Sequence, residues 1–208
     1  MREDLWHTPM NSRDKSIFLA ALLLGRSQFM DSLSCLSDEA VRRRPAPKSW
    51  SILECLEHVV VTEREFLHSI QTAEPLAAPR VNKLRESAIL AYGINRDQAV
   101  QAPEELWPTG RFASLAEAVQ AFLECRAATV NFVRNCDQNL MAMQTRHSMM
   151  GSMSAHEMLL MVSCHADRHR CQIFAVRKHV CDWLSALMPL PQTEEPSPEP
   201  AVAAARCA

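Results

Sequence analysis

The segment CHADRHRCQIF, Cys164 to Phe174, sets His165 and His169 four residues apart, with Gln172 one turn further on. On a helix, residues at i and i+4 project from one face, so both imidazoles can reach a single metal ion. Turned at about 100° per residue, this stretch puts Met158, Met161, Val162, His165, His169, Gln172 and Val176 on one stripe, with Ser163, Asp167, Arg170 and Arg177 opposite. The two histidines therefore face the core. Two imidazoles on an apolar stripe are costly to bury unless both are satisfied, by an ion or by hydrogen bonds. Phe174 falls among the polar residues and calls for a cover from the C-terminal tail or from a long loop.

A third imidazole, His58, lies in WSILECLEHVV. Its own helix has a main apolar arc of Ile52, Leu53, Leu56, Val59, Val60, Leu67 and Ile70, and His58 lies off it with Glu54, Cys55, Thr62 and Glu65. That face is either solvent or a polar pocket, and periodicity does not decide between them. In a pocket, Glu54 would stand one turn before His58 and could orient its ring. Cys55 shares the His58 face and is the best placed of Cys55, Cys164 and Cys171 to join a mixed Cys/His site. His7, His68, His147, His156 and His179 are read as ordinary terminal, loop or outer-face residues.

The elements that must carry these residues announce themselves through three Ser-x-x-Glu boxes, at Ser51, Ser114 and Ser154. In such a box the serine hydroxyl accepts an otherwise unpaired amide and the glutamate caps the serine's own N–H. The expected helices run from Asp14 to about Leu36, from Ser51 to about Gln71, from Ser114 to about Asn135 and from Ser154 to about His179. With only 4 glycines, 11 methionines and 48% hydrophobic residues, the fold class is all-α: a four-helix bundle. Pro75, Pro79, Pro103 and Pro108 mark a long connection between helices two and three, with room for one short helix at Val81 to Tyr92. The 208 residues divide into an N-terminal extension (1–13), one bundle domain (14–186) and a Pro- and Glu-rich disordered tail (187–208).

Composition excludes other functions. A net charge of −2, with Arg42-Arg43-Arg44 as the one compact basic run, gives no surplus to hold a nucleic-acid backbone. The apolar run SIFLAALLLG is too short to span a bilayer and follows acidic residues, so it reads as a core helix, with no membrane partner. Eight cysteines without a CxxC pair read as reduced thiols of a cytoplasmic protein.

Trp50, Ser51, Glu54 and His58, followed by His165, His169, Gln172 and Ile173, form the pair W-S-x-x-E-x-x-x-H and H-x-x-x-H-x-x-Q-I. This pair resembles the DinB-like superfamily of damage-inducible-type four-helix-bundle proteins. PTGRFASLAEAVQAFLECRAATVNFV is similar to that family's third helix with its preceding P-x-G-R turn, and the likeness runs in order from about Asp14 to His179. The resemblance implies a metal site made by His58, His165 and His169, and so a pocket rather than solvent at His58. Three neutral imidazoles suit zinc or nickel, with iron as a third option, and leave coordination positions open. Such an ion lowers the pKa of bound water to about 7 or holds a thiol as thiolate. The family includes S-transferases that use bacillithiol or mycothiol, a mycothiol-dependent maleylpyruvate isomerase, and proteins described as metal-dependent hydrolases. The expectation is thus a metal-dependent enzyme for a small-molecule substrate, with a low-molecular-weight thiol as candidate co-substrate.

Two further residues are candidates for the site. Arg126 lies on the apolar arc of the third helix and either receives a carboxylate of the thiol cofactor or lays its stem over the core and pairs at the rim. Gln172 either steers a ligand or is a satisfied core amide. Trp50 is expected to plug the bundle end, and Arg168 to make an ion pair. Two other functions compete: a non-catalytic stress protein in which the ion braces the bundle, and a metal-free helical interaction module, homodimeric through its apolar faces.

Overall fold

The computed structural model describes residues 9–97 and 101–187, which hold six helices and three short strands. The four long helices are α1 (Ser12–Ser32), α3 (Ile52–Gln71), α5 (Leu115–Asn135) and α6 (Ala155–Leu187). The short helix α2 (Asp38–Arg42) lies between the first two of these, and α4 (Lys83–Ile94) lies in the connection from α3 to α5. The helix expected at Val81 to Tyr92 is α4, and it packs along α6. Each of the long helices packs on two others: α1 and α3 both contact α5 and α6. The bundle therefore runs α1, α5, α3, α6 around its axis, with α1 and α3 on one diagonal and α5 and α6 on the other.

The all-α expectation needs one correction. Strands β1 (Glu74–Pro75), β2 (Met143–His147) and β3 (Gly151–Ser154) form a small antiparallel sheet in the order β1-β2-β3. Gln144 pairs with both Glu74 and Ser154, so the end of α3 is tied to the start of α6. Strands this short leave almost no period-2 signal in the sequence.

The three predicted helix starts form, with one change of partner. Ser51 and Glu54 make the reciprocal box at the head of α3. Ser154 and Glu157 exchange the same two bonds at 2.8 and 3.1 Å before α6. Ser114 caps Glu117, whose carboxylate instead takes the amide of Ala113 at 2.6 Å. Each cap contributes about 1 kcal/mol. α1 starts earlier than expected because Asn11 accepts from the Asp14 amide at 2.8 Å.

Two apolar clusters fill the bundle. One gathers Phe29, Ile52, Leu56, Val60, Phe122 and Ile173, and the other Leu22, Phe66, Ile70, Val133, Met158 and Leu159. Between the clusters α3 buries Thr62 and Glu63, α5 buries Arg126 and Thr129, and α6 carries half-buried His165. Residues 1–8 of the expected extension and 188–208 of the expected tail lie outside the described residues, and α6 runs through Leu187. Among the described residues no helix is long and apolar enough to cross a membrane.

Candidate metal centre

α3 contributes His58 and α6 contributes His165 and His169, and their ring centroids stand 4.6 to 5.1 Å apart. His58 and His169 are buried, and His165 is half-buried. The histidine nitrogens that face one another all lie within 4.8 Å. Two nitrogens bound to one zinc can be no more than about 4.2 Å apart. The three rings are thus about half an ångström from a span that one ion bridges.

Hydrogen bonds settle which ring nitrogens remain. His58 Nδ1 donates to the carbonyl of Leu106 at 2.8 Å, and His169 Nδ1 donates to Gln172 Oε1 at 2.9 Å. Each acceptor lacks a proton to give, so each ring holds its hydrogen on Nδ1 and keeps the Nε2 lone pair. Fixing the tautomer through the other ring nitrogen is what metal-binding histidines commonly require. Burial depresses the pKa of all three, most for His165 and His169, where neighbouring imidazoles and the cations Arg168 and Arg96 add to it. The donor set is therefore neutral, and it fits a divalent transition ion.

The supporting residues are only partly those expected. Glu54 does not orient His58: its carboxylate turns back to the Ser51 amide at 2.8 Å and to Arg44 at 3.0 Å. A capping glutamate must point toward the helix start, so it is unavailable to a ring one turn later. Leu106, in a short 3-10 turn (Glu104–Leu106), takes that role. Glu57 holds the following loop in place. Its buried carboxylate accepts the amides of Thr109, Gly110 and Arg111 at 2.6, 3.0 and 3.1 Å, and Arg111 Nη1 at 2.7 Å. Gly110, at φ +81°, is the position at which three successive amides can turn onto one carboxylate. Glu57 and Glu63 both escaped the sequence reading. Glu63 lies on the apolar arc of α3, where a carboxylate signals a buried partner, whereas Glu57 lies beyond the edge of that arc, near Arg64.

Arg126 is 1% exposed and pairs with Glu63 at 2.8 Å, and Thr129 donates to the other Glu63 oxygen at 2.8 Å. It neither pairs at the rim nor opens to a ligand's carboxylate, because the two apolar clusters close over it. Gln172 is engaged by His169 and by Arg96 Nη1 at 2.8 Å. Cys55 is fully buried with its thiol pushed up to about 12, and it is not among the clustered ligands. Trp50 stands over the site instead of merely plugging the bundle end, 4.8 Å from the His58 ring and 6.3 Å from that of His169. His156 is buried against Phe18, with Glu86 of α4 at 4.0 Å, because α4 covers the start of α6. Arg168 donates to the backbone carbonyls of Tyr92 and Asn95. Phe174 is exposed, with Arg170 over its ring at 5.8 Å.

A family model for the DinB superfamily matches residues 21–173, from α1 past both α6 histidines. The chain belongs to the DinB superfamily. Among solved structures it is similar to YfiT from Bacillus subtilis, described as a probable metal-dependent hydrolase with an unusual four-helix bundle topology. The two are 11% identical, with a TM-score of 0.54 over 83% of this chain and 90% of YfiT. That likeness is one of fold, and it gives the mostly helical DinB architecture expected from the sequence. No curated protein matches the chain in sequence.

A cleft of about 760 Å³ opens on the other side of two residues that contact the histidines. Leu106, which holds His58, and Phe66, whose ring lies 5.8 Å from that of His165, form part of its wall. The histidines stand behind that wall.

Proposed function

We propose that this DinB protein is a metal-dependent enzyme that activates a nucleophile against a small-molecule electrophile, by thiol transfer or hydrolysis. His58, His165 and His169 would hold one divalent transition ion, with zinc or nickel ahead of iron for an all-imidazole donor set. The observation that carries the reading is the pair of outward hydrogen bonds from His58 and His169, which leaves two neutral Nε2 lone pairs beside His165. Such an ion supplies Lewis-acid activation of a nucleophile at neutral pH.

The chain's own residues account for the rest. Leu106 and Gln172 fix the tautomers, Glu57 holds the loop that carries Leu106, and Trp50 packs its ring beside His58 and His169. Among the described residues no carboxylate joins the cluster, which supports open positions for substrate and, in the transferase version, for a low-molecular-weight thiol. Reduced Cys55, Cys125, Cys136 and Cys164 support a cytoplasmic setting. Neither a nucleic-acid nor a membrane partner belongs to this reading, and a homodimer is compatible with it.

Elemental analysis of the untagged protein beside a His58→Ala, His165→Ala, His169→Ala variant tests it. About one transition ion per chain that disappears in the variant supports the site, and no metal, or metal unchanged in the variant, overturns it. Adding thiol to the cobalt-substituted protein then separates an open catalytic centre, whose visible spectrum shifts, from a closed ion that only braces the bundle.

A further inference from the structure

His147 ends β2, and the turn that follows is built on its ring. Nδ1 accepts from the amides of Met149 and Met150 at 3.1 and 3.2 Å, and Gly151, at φ +69°, pairs with His147 across the hairpin. A ring nitrogen that accepts two amides carries no proton, so the ring's hydrogen is on Nε2. His147 is thus a neutral donor fixed in place by backbone. The hairpin uses only its Nδ1 edge, which leaves the Nε2–H edge for another partner.

The ring is half-buried and lines the cleft beside the three histidines. One phenyl ring, Phe66, separates it from them, with centroids 5.3 Å from His147 and 5.8 Å from His165. Val61, Phe66, Pro103 and Leu106 give the cleft an apolar wall, and the exposed guanidiniums of Arg64 and Arg146 border it. Glu65 and Glu105 also line it, and Arg111 is already paired with Glu57. Net charge alone therefore selects little, and a fixed neutral donor between an apolar wall and two cations selects more. The fitting ligand has an apolar body and a carboxylate.

We propose that this cleft binds an amphipathic carboxylate as substrate, and that His147 Nε2–H is the donor that fixes a carboxylate oxygen beside the metal centre. The proposal rests on reading the cleft as the approach to the three-histidine site. Two substitutions divide the ring's functions. His147→Asn keeps an acceptor at the Nδ1 position for the turn and removes the far donor. His147→Gln keeps a donor near the Nε2 position and gives up the turn's acceptor.

The probe is benzoate, titrated by calorimetry into metal-free full-length protein, with nitrogen-15 histidine spectra recorded alongside. The expected results are an Nε2–H tautomer at His147, saturable binding that shifts that resonance, about tenfold weaker binding in His147→Asn, and closer to wild-type binding in His147→Gln. A proton on Nδ1, no saturable binding, or wild-type affinity in His147→Asn would overturn the proposal. The spectrum of the wild-type protein decides the tautomer even where a variant folds poorly. Metal content is read separately. A His147-dependent benzoate site without metal binding would sink only the metal reading, and metal binding without such a site would sink only this one.

Discussion

Gln172 Oε1 accepts from His169 Nδ1 at 2.9 Å and from Arg96 Nη1 at 2.8 Å, so one amide oxygen joins His169 of α6 to the residues just past α4. The amide holds the ring, and the guanidinium holds the amide. Outer residues of this kind typically contribute 10- to 100-fold to metal affinity. Gln172→Leu should lower affinity for the ion within about that range in chelator competition, and Arg96→Ala by less, with little change in the denaturation midpoint of the metal-free protein. Unchanged affinity in both would mean that packing alone orients His169.

The buried Glu63–Arg126 pair predicts an asymmetric response. Arg126→Met leaves an acidic group without its cation between two apolar clusters, and losses of this type run to about 3–5 kcal/mol. Replacing both, as Glu63→Leu with Arg126→Met, removes the uncompensated charge and should recover much of that stability. Urea denaturation of the two singles and the double forms the cycle. Additive losses would show that the two side chains are not coupled.

How far the sequence reveals this site depends on where each interaction's partner lies. The histidine pair of α6 was legible because both residues share one helix face, and the helix starts were legible because their caps are local. His58 was ambiguous. Its face is polar, and the residues that make that face a pocket, Trp50 and Leu106, come from outside α3. Glu54 misled for a related reason: one carboxylate suits either a cap or a ring, and the cap was the nearer partner. Glu57 is paired across the fold with residues 109–111, a distance no helical wheel covers, and it lies off the apolar arc, so periodicity does not mark it. The sheet stayed hidden because strands of two to five residues depend on one another for their pairing.

Burial of the histidines gives the metal-free protein a direction of pH dependence. His58, His165 and His169 are all depressed below 6.5, as are His147 and His156. Between 6.5 and those lower values the unfolded chain binds more protons than the folded one, so stability must fall as pH falls. Each histidine that is charged when unfolded and neutral when folded adds a slope of about 1.4 kcal/mol per pH unit. Denaturant midpoints taken downward from pH 7.5 should drop beginning near pH 6.5. The decline should be shallower in the triple His58→Ala, His165→Ala, His169→Ala variant, and an equal decline in both proteins would assign the acid sensitivity elsewhere.

The seat of α4 yields the remaining prediction. Gly93 is buried against α6, where an added Cβ would stand 2.5 Å from Cys164 Cβ and 3.3 Å from its sulfur. Cys164 directly precedes His165, and Arg168 and Gln172 receive the end of α4 one and two turns later. Gly93→Ala must therefore push the helix away, at about 1–3 kcal/mol for overpacking, despite alanine's better helix propensity. Cys164→Gly removes the obstructing atoms, so the pair should be more stable than the two single losses add up to, even with a glycine's helix penalty included. Because the displaced segment also carries Arg96, Gly93→Ala should weaken ion binding, and Cys164→Gly should restore part of it. Strict additivity in both stability and affinity would show that α4 tolerates the added methyl without moving, and that its packing does not position the three histidines.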